Sequence, residues 1–182
     1  MITQQKSSKT NLTLTNLLKK SCTQFSNLTA LTFTDEKPVT YNELYNDVNH
    51  LTEFLRNRGV EHSDKVVILG ENSPQWAIAY FAVTTMGAVV VPILPDFHKS
   101  VIHHILRHCG SKVIFVSERY YYKLEEFDLS ESYTLILLDD FSIIEPSTSK
   151  TRLSKLIAEG SKELYKIRNL VFNLVGIKYK QV

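Results

Sequence analysis

The sequence predicts an α/β fold: a mostly parallel sheet joined by crossover helices, with a helical tail. Two observations predict it. Short apolar runs alternate with helical segments from about Leu14 to Asp140. The run Val66-Val67-Ile68-Leu69 is continuous rather than alternating, as in a parallel strand covered on both faces. Composition agrees: the chain has 182 residues, 43% hydrophobic and 22% charged, with a formal net charge of +2, inside globular ranges. At this length folding buries roughly 70% of the unfolded surface, enough for one core without disulfide staples.

The elements follow in order. Thr29 to Thr34 is a short threonine-rich strand, and Asp35-Glu36-Lys37-Pro38 turns the chain into a brief extended Val39, which together read as a hairpin. Thr40 is an N-cap, Glu43 completes a capping box three residues on, and Gly59 stops the helix between them. On that helix Tyr41, Leu44, Tyr45, Val48, Leu51 and Leu55 fall within an arc of roughly 120°, leaving Asn42, Asn46, Asn49, His50 and Glu53 on the wet side. After the central strand Val66–Leu69, Ser73 caps and Pro74 opens a helix that runs to Met86 and is apolar nearly all round. Strands are expected at Ala88–Val91, Val113–Val116 and Leu135–Leu138, separated by helical segments at about 99–109 and 118–126. Strand, helix, strand in series implies right-handed crossovers.

This divides the chain into a polar N-terminal tail (1–13), an α/β body (14–140) and a basic helical tail (141–182). The charge is uneven. Residues 1–149 carry 13 Lys and Arg against 17 Asp and Glu, whereas residues 150–182 carry eight against two. The body lacks the clustered basic face that nucleic acid demands, so no nucleic-acid partner is expected. The two cysteines, Cys22 and Cys109, are isolated, which argues against a disulfide framework and fits a reducing compartment. No secretion signal or membrane span is read, and the expected location is the cytoplasm.

Several constellations invite a chemical role. The turn Gly70-Glu71-Asn72-Ser73 stands where dinucleotide and P-loop folds cradle phosphate, but the six glycines (59, 70, 87, 110, 160 and 176) lie at least eleven residues apart. Asn72 and Ser73 are therefore read as turn and cap residues. His98, His103, His104, His108 and Cys109 suggest a metal, since His104 and His108 share the helical i, i+4 spacing. Val101, Ile102, Ile105, Leu106 and Cys109 define the buried arc instead, with His103, His104 and Arg107 outside it and His108 at its edge. A third convergent ligand is missing, so a solvated helix face is preferred. Asp139 and Asp140 end a strand where catalytic carboxylates or magnesium ligands sit in open α/β folds, yet no partner is placed beside them. The tail holds a short helix near Arg152–Ala158 and a longer one at about Ser161–Val175. Leu164, Ile167, Leu170, Val171, Leu174 and Val175 line one face of the latter, and Lys162, Lys166, Arg168, Lys178 and Lys180 surround it. Such a helix docks on protein or lies on an anionic membrane, through residues 161–180, at the inner face.

In this order and spacing, four blocks resemble the N-terminal portion of the AMP-forming acyl-CoA synthetases, the adenylate-forming family. Thr40-Tyr41-Asn42-Glu43-Leu44 is similar to the family's Thr-Tyr-x-Glu-Leu helix start. Gly59-Val60-Glu61-His62-Ser63-Asp64-Lys65-Val66 is similar to its Gly-Val-x-x-Gly-Asp-Arg-Val approach to a strand, with Ser63 in place of the Gly and Lys65 in place of the Arg. Asn72-Ser73-Pro74-Gln75-Trp76 and Gly87-Ala88-Val89-Val90-Val91-Pro92 complete the set. The resemblance covers about residues 28–117. It implies a parent enzyme, a long-chain fatty acid CoA ligase, that uses ATP, Mg and CoA to join a fatty acid to AMP and then to the thiol. The family's phosphate loop, adenine motif, magnesium-binding Glu and catalytic Lys would come downstream. No catalytic, cofactor-binding or metal-binding residue carries over to this chain, no cofactor is expected on it, and its partner would be the remainder of the parent. A freestanding α/β interaction module is the competing reading.

Overall fold

The computed structural model describes residues 13–34, 37–127, 129 and 133–144. The two helices expected in the tail and the Asp35–Glu36 part of the expected hairpin turn lie outside the described residues.

The first element is a helix that sequence periodicity does not predict, α1 (Leu14–Gln24), capped by Thr13, whose hydroxyl accepts from the Asn16 N–H at 3.2 Å. Only Leu18 and Cys22 are buried along it, too thin an apolar stripe to announce a helix. β1 (Thr29–Leu31) and β2 (Val39–Thr40) pair antiparallel as the expected hairpin, in shorter form. α2 (Tyr41–Asn57) carries the capping box: the Glu43 N–H donates to Thr40 Oγ1 at 3.2 Å, and Glu43 Oε2 accepts from the Thr40 N–H at 2.8 Å. Leu44, Val48, Leu51 and Leu55 are buried as the arc requires, while Tyr41 and Tyr45 are half-buried. His50, expected on the wet side, is half-buried, and its Nδ1 is out of water without a hydrogen-bond partner among the described residues.

The rest is one five-stranded sheet. β3 (Lys65–Leu69), β4 (Val89–Ile93), β5 (Val113–Val116) and β6 (Thr134–Leu137) are parallel, and β7 (Ile143–Ile144) adds antiparallel to β6, giving the order β4-β3-β5-β6-β7. α3 (Pro74–Thr85) links β3 to β4, and α4 (Lys99–Cys109) links β4 to β5. The helical segment expected at about 118–126 is a 3-10 helix, Glu118–Leu124. β7 is a two-residue strand without a sequence signal of its own, and it carries the sheet past the body boundary read at Asp140.

The expected end of β4 at Val91 is also corrected, since the strand runs through Pro92 to Ile93. The Val89 N–H donates to the Asp64 carbonyl at 2.8 Å. In a parallel ladder alternate residues face the same neighbour, so Val89, Val91 and Ile93 face β3 while Val90 and Pro92 face outward. Proline's missing donor therefore falls on the free edge, the one place in a sheet where it costs no ladder bond.

Each interior strand divides its side chains between two cores. Val66, Ile68, Val113, Phe115 and Ile136 pack on one face with α1, α2 and α3, whereas Val67, Leu69, Ile114, Val116, Leu135 and Leu137 pack on the other with α4 and the 3-10 helix. No residue of α3 is exposed, as its all-round apolarity requires. The step from β3 to β4 goes one place over the first face, and the step from β4 to β5 goes two places back over the second. Opposite directions on opposite faces have the same hand, as the crossover rule expects.

Candidate functional site

Because β4 and β5 flank β3 on opposite sides, connections leave the C-terminal ends of β3 and β5 toward opposite faces. That topological switch point is where open α/β sheets place ligands. Three turns meet at this crest: Gly70-Glu71-Asn72-Ser73 after β3, Ser117-Glu118 after β5, and Leu138-Asp139-Asp140 after β6. The sheet ladder holds them in register, with the Ser117 N–H donating to the Leu69 carbonyl at 3.0 Å and the Leu138 N–H to the Val116 carbonyl at 2.9 Å.

The crest's polar groups are largely engaged with one another. The Ser117 hydroxyl, on a residue only 5% exposed, donates to Glu71 Oε2 at 2.9 Å across the switch point. Asp139 Oδ2 accepts from the Glu118 N–H at 2.8 Å, and Asp140 Oδ1 accepts from the Ser142 N–H at 2.9 Å. Ser73 Oγ accepts from the Trp76 N–H at 3.0 Å, capping α3. Asn72 is exposed in the same turn. The readings of Ser73 as a cap and of the Asp139–Asp140 pair as strand-end residues describe what these groups do here. What the sequence does not reveal is Leu138: its Cδ1 lies 2.5 Å from where a Cβ on Gly70 would stand. Gly70 is thus a close-approach glycine that admits Leu138 into the space between the strands.

The histidines disperse. His98 caps α4, its Nδ1 accepting from the Ser100 N–H at 3.3 Å. His103, expected outside the buried arc, is half-buried: its Nε2 lies 2.9 Å from the Lys123 carbonyl and its ring packs on Phe127. Val101, expected inside that arc, is 43% exposed. His104 and His108 are exposed and stack on each other. Among the described residues no group of three or more His, Cys, Asp or Glu side chains could hold a metal ion. No helix among them is long and apolar enough to cross a membrane.

Two further groups stand out, and the first, Ser63, is the residue that stands in place of the family's Gly. Ser63 adopts φ 69° in the Glu61–Asp64 turn, where the Asp64 N–H donates to the Glu61 carbonyl at 3.2 Å. Positive φ at the third residue of a turn is a glycine position. Asp47 on α2 is half-buried, and its carboxyl is pushed up to about 6, by loss of solvent first, with the His50 charge opposing and Glu43 adding to the rise.

A family model described as AMP-binding enzyme matches residues 18–166. This chain belongs to that family. It is 30% identical over 134 residues to 4-hydroxybutyrate–CoA ligase 2 of Metallosphaera sedula, covering 74% of this chain and 24% of that protein. It is 25% identical over 151 residues to a long-chain-fatty-acid–CoA ligase of Bacillus subtilis, covering 79% of this chain and 27% of that protein. Among solved structures, the N-terminal subdomain of NpsA from Klebsiella oxytoca, in complex with 3-hydroxybenzoyl-AMSN, superposes with a TM-score of 0.56 at 20% identity, over 74% of this chain and 33% of that one. The chain spans about a quarter of the length of these two ligases.

Within this member of the family the four sequence blocks have structural work. They supply the capping box of α2, the turn into β3, the cap of α3, and the Gly87 turn into β4, where Gly87 adopts φ 83° against the His62 ring. A nucleotide phosphate does not fit the crest as it stands. The turn after β3 holds one glycine, already committed to Leu138, and the Glu71 carboxylate, held on the Ser117 hydroxyl across the switch point, repels an anion.

Proposed function

We propose that this chain is the N-terminal scaffold of an ATP-dependent, AMP-forming acid–CoA ligase whose substrate is a fatty carboxylate, and that by itself it catalyses neither half-reaction. In the parent reaction the carboxylate attacks the α-phosphate of ATP, releasing pyrophosphate and forming acyl-AMP; the CoA thiol then displaces AMP. The observation that carries the scaffold role is the closed switch point. Leu138 occupies the space over Gly70, and the Ser117–Glu71 hydrogen bond ties the two strand ends together. What this chain's residues do is hold strand ends in place. The tie from Ser117 to Glu71 and the Asp139 carboxylate on the Glu118 N–H fix the turns. A transfer of this kind depends on preorganised donors around the developing charge, which the reading assigns to polypeptide beyond these residues. The fatty-acid assignment draws on the basic amphipathic pattern at 161–180 and on the likeness to the Bacillus subtilis enzyme.

The test is ATP–pyrophosphate exchange by the purified chain with acids from acetate to palmitate. Exchange no faster than the protein-free blank is expected, and measurable exchange overturns the scaffold reading. The freestanding-module alternative is separated from it by the transcript. Coding sequence that continues past Val182 into a Ser/Thr/Gly-rich loop ending in Lys-Gly supports the ligase, whereas a stop codon there supports the module.

A further inference from the structure

The pair the crest does not use is on α4. His104 and His108 are one helical turn apart, both exposed, with rings stacked at a centroid separation of 6.2 Å and an interplanar angle of 3°. Neither ring is hydrogen-bonded among the described residues, in contrast to His62 on Ser63, His98 on Ser100 and His103 on the Lys123 carbonyl. Side chains four apart on a helix have neighbouring Cβ atoms, and imidazole nitrogens bind zinc at about 2.0–2.1 Å. Two parallel rings on adjacent turns reach a shared ion by side-chain torsion alone, with the backbone already fixed by α4. We propose that His104 and His108 form a two-ligand surface site for a divalent transition metal ion of the imidazole-preferring class (zinc, nickel or copper), with water completing the coordination. Arg107 lies beside the pair and opposes a cation, but it is exposed and its charge is screened by solvent. Two protein ligands make this a loading site on the surface, not a buried centre. The site is independent of the ligase reading.

The probe is nickel chloride, titrated calorimetrically into the full chain at neutral pH, with a thermal melt in parallel. One ion per chain is expected, with a metal-dependent rise in melting temperature. His104→Ala and His108→Ala should each weaken uptake at least tenfold and remove the thermal shift. His62→Ala and Cys109→Ser should bind as the parent chain does. Circular dichroism should show unchanged helix content in the two histidine variants, because both side chains are exposed. Absence of nickel uptake, or His104→Ala and His108→Ala chains that bind as the parent does, overturns the assignment, as does loss of uptake in either control variant.

Discussion

Asp47→Asn tests whether a half-buried carboxyl taxes this fold near neutral pH. In the folded chain Asp47 titrates at about 6, against 3.8 for the ordinary group, because burial on α2 disfavours its charge more than His50 restores it. The folded state therefore holds the proton more tightly than the unfolded one. Stability from this group is fully present below the unfolded value, declines as pH rises through the window from about 4 to 6, and is absent above it. The full displacement corresponds to about 3 kcal/mol, and the side chain's remaining contact with water reduces the expected effect to about 1–2 kcal/mol. Asparagine mimics the protonated form, so the variant should be more stable than the parent by that amount at pH 8 and nearly equal to it at pH 4. Urea unfolding followed by the fluorescence of Trp76, in α3 against the core, measures both chains at each pH. The difference between them cancels groups that do not act on Asp47; Glu43, whose carboxyl is held low by the Thr40 N–H and by Lys37 and which titrates in the opposite sense, leaves in it only its weaker coupling to Asp47. Parallel pH profiles for the two chains, or a variant less stable at pH 8, would refute the reasoning.

Three further outcomes are expected. Ser63→Gly should stabilise the chain by about 1 kcal/mol, since it relieves a left-handed serine; a denaturation midpoint that falls contradicts this. Gly70→Ala should cost about 1–3 kcal/mol by driving a Cβ into Leu138, and the cost should shrink in a Leu138→Ala background; an equal cost in both backgrounds would show that the close approach is not the cause. If residues 161–180 lie on an anionic membrane rather than dock on protein, vesicles containing phosphatidylglycerol sediment the full chain at low salt, and Leu170→Glu with Val171→Glu abolishes this. Equal sedimentation of both chains would remove residues 161–180 as the membrane contact.

The crest shows what a sequence conveys and what it withholds. Strand ends at Leu69 and Leu138 place Gly70–Ser73 and Asp139–Asp140 at its rim from pattern alone, and Ser73 is legible as a cap because Pro74 follows it. Ser117 and Glu71 are not legible as partners. They stand 46 residues apart in the chain, and only the order of strands brings them together. His103 reads as a wet residue on the helix wheel, since the wheel cannot know that the 3-10 helix offers the Lys123 carbonyl to it.

By itself the sequence determined the local grammar: the capping box and the glycine stop of α2, the serine–proline start of α3, the apolar strands and the parallel class of the sheet. These depend on interactions within a few residues, whose signals survive in the linear order. Tertiary structure alone decided that α1 is helical on two buried side chains, that β4 runs through Pro92 because it is an edge, and that β7 exists at all. It also decided that Gly70 must lack a side chain. Each of these is set by burial and backbone pairing between segments far apart in the chain, and no spacing within one segment encodes which distant neighbour will arrive.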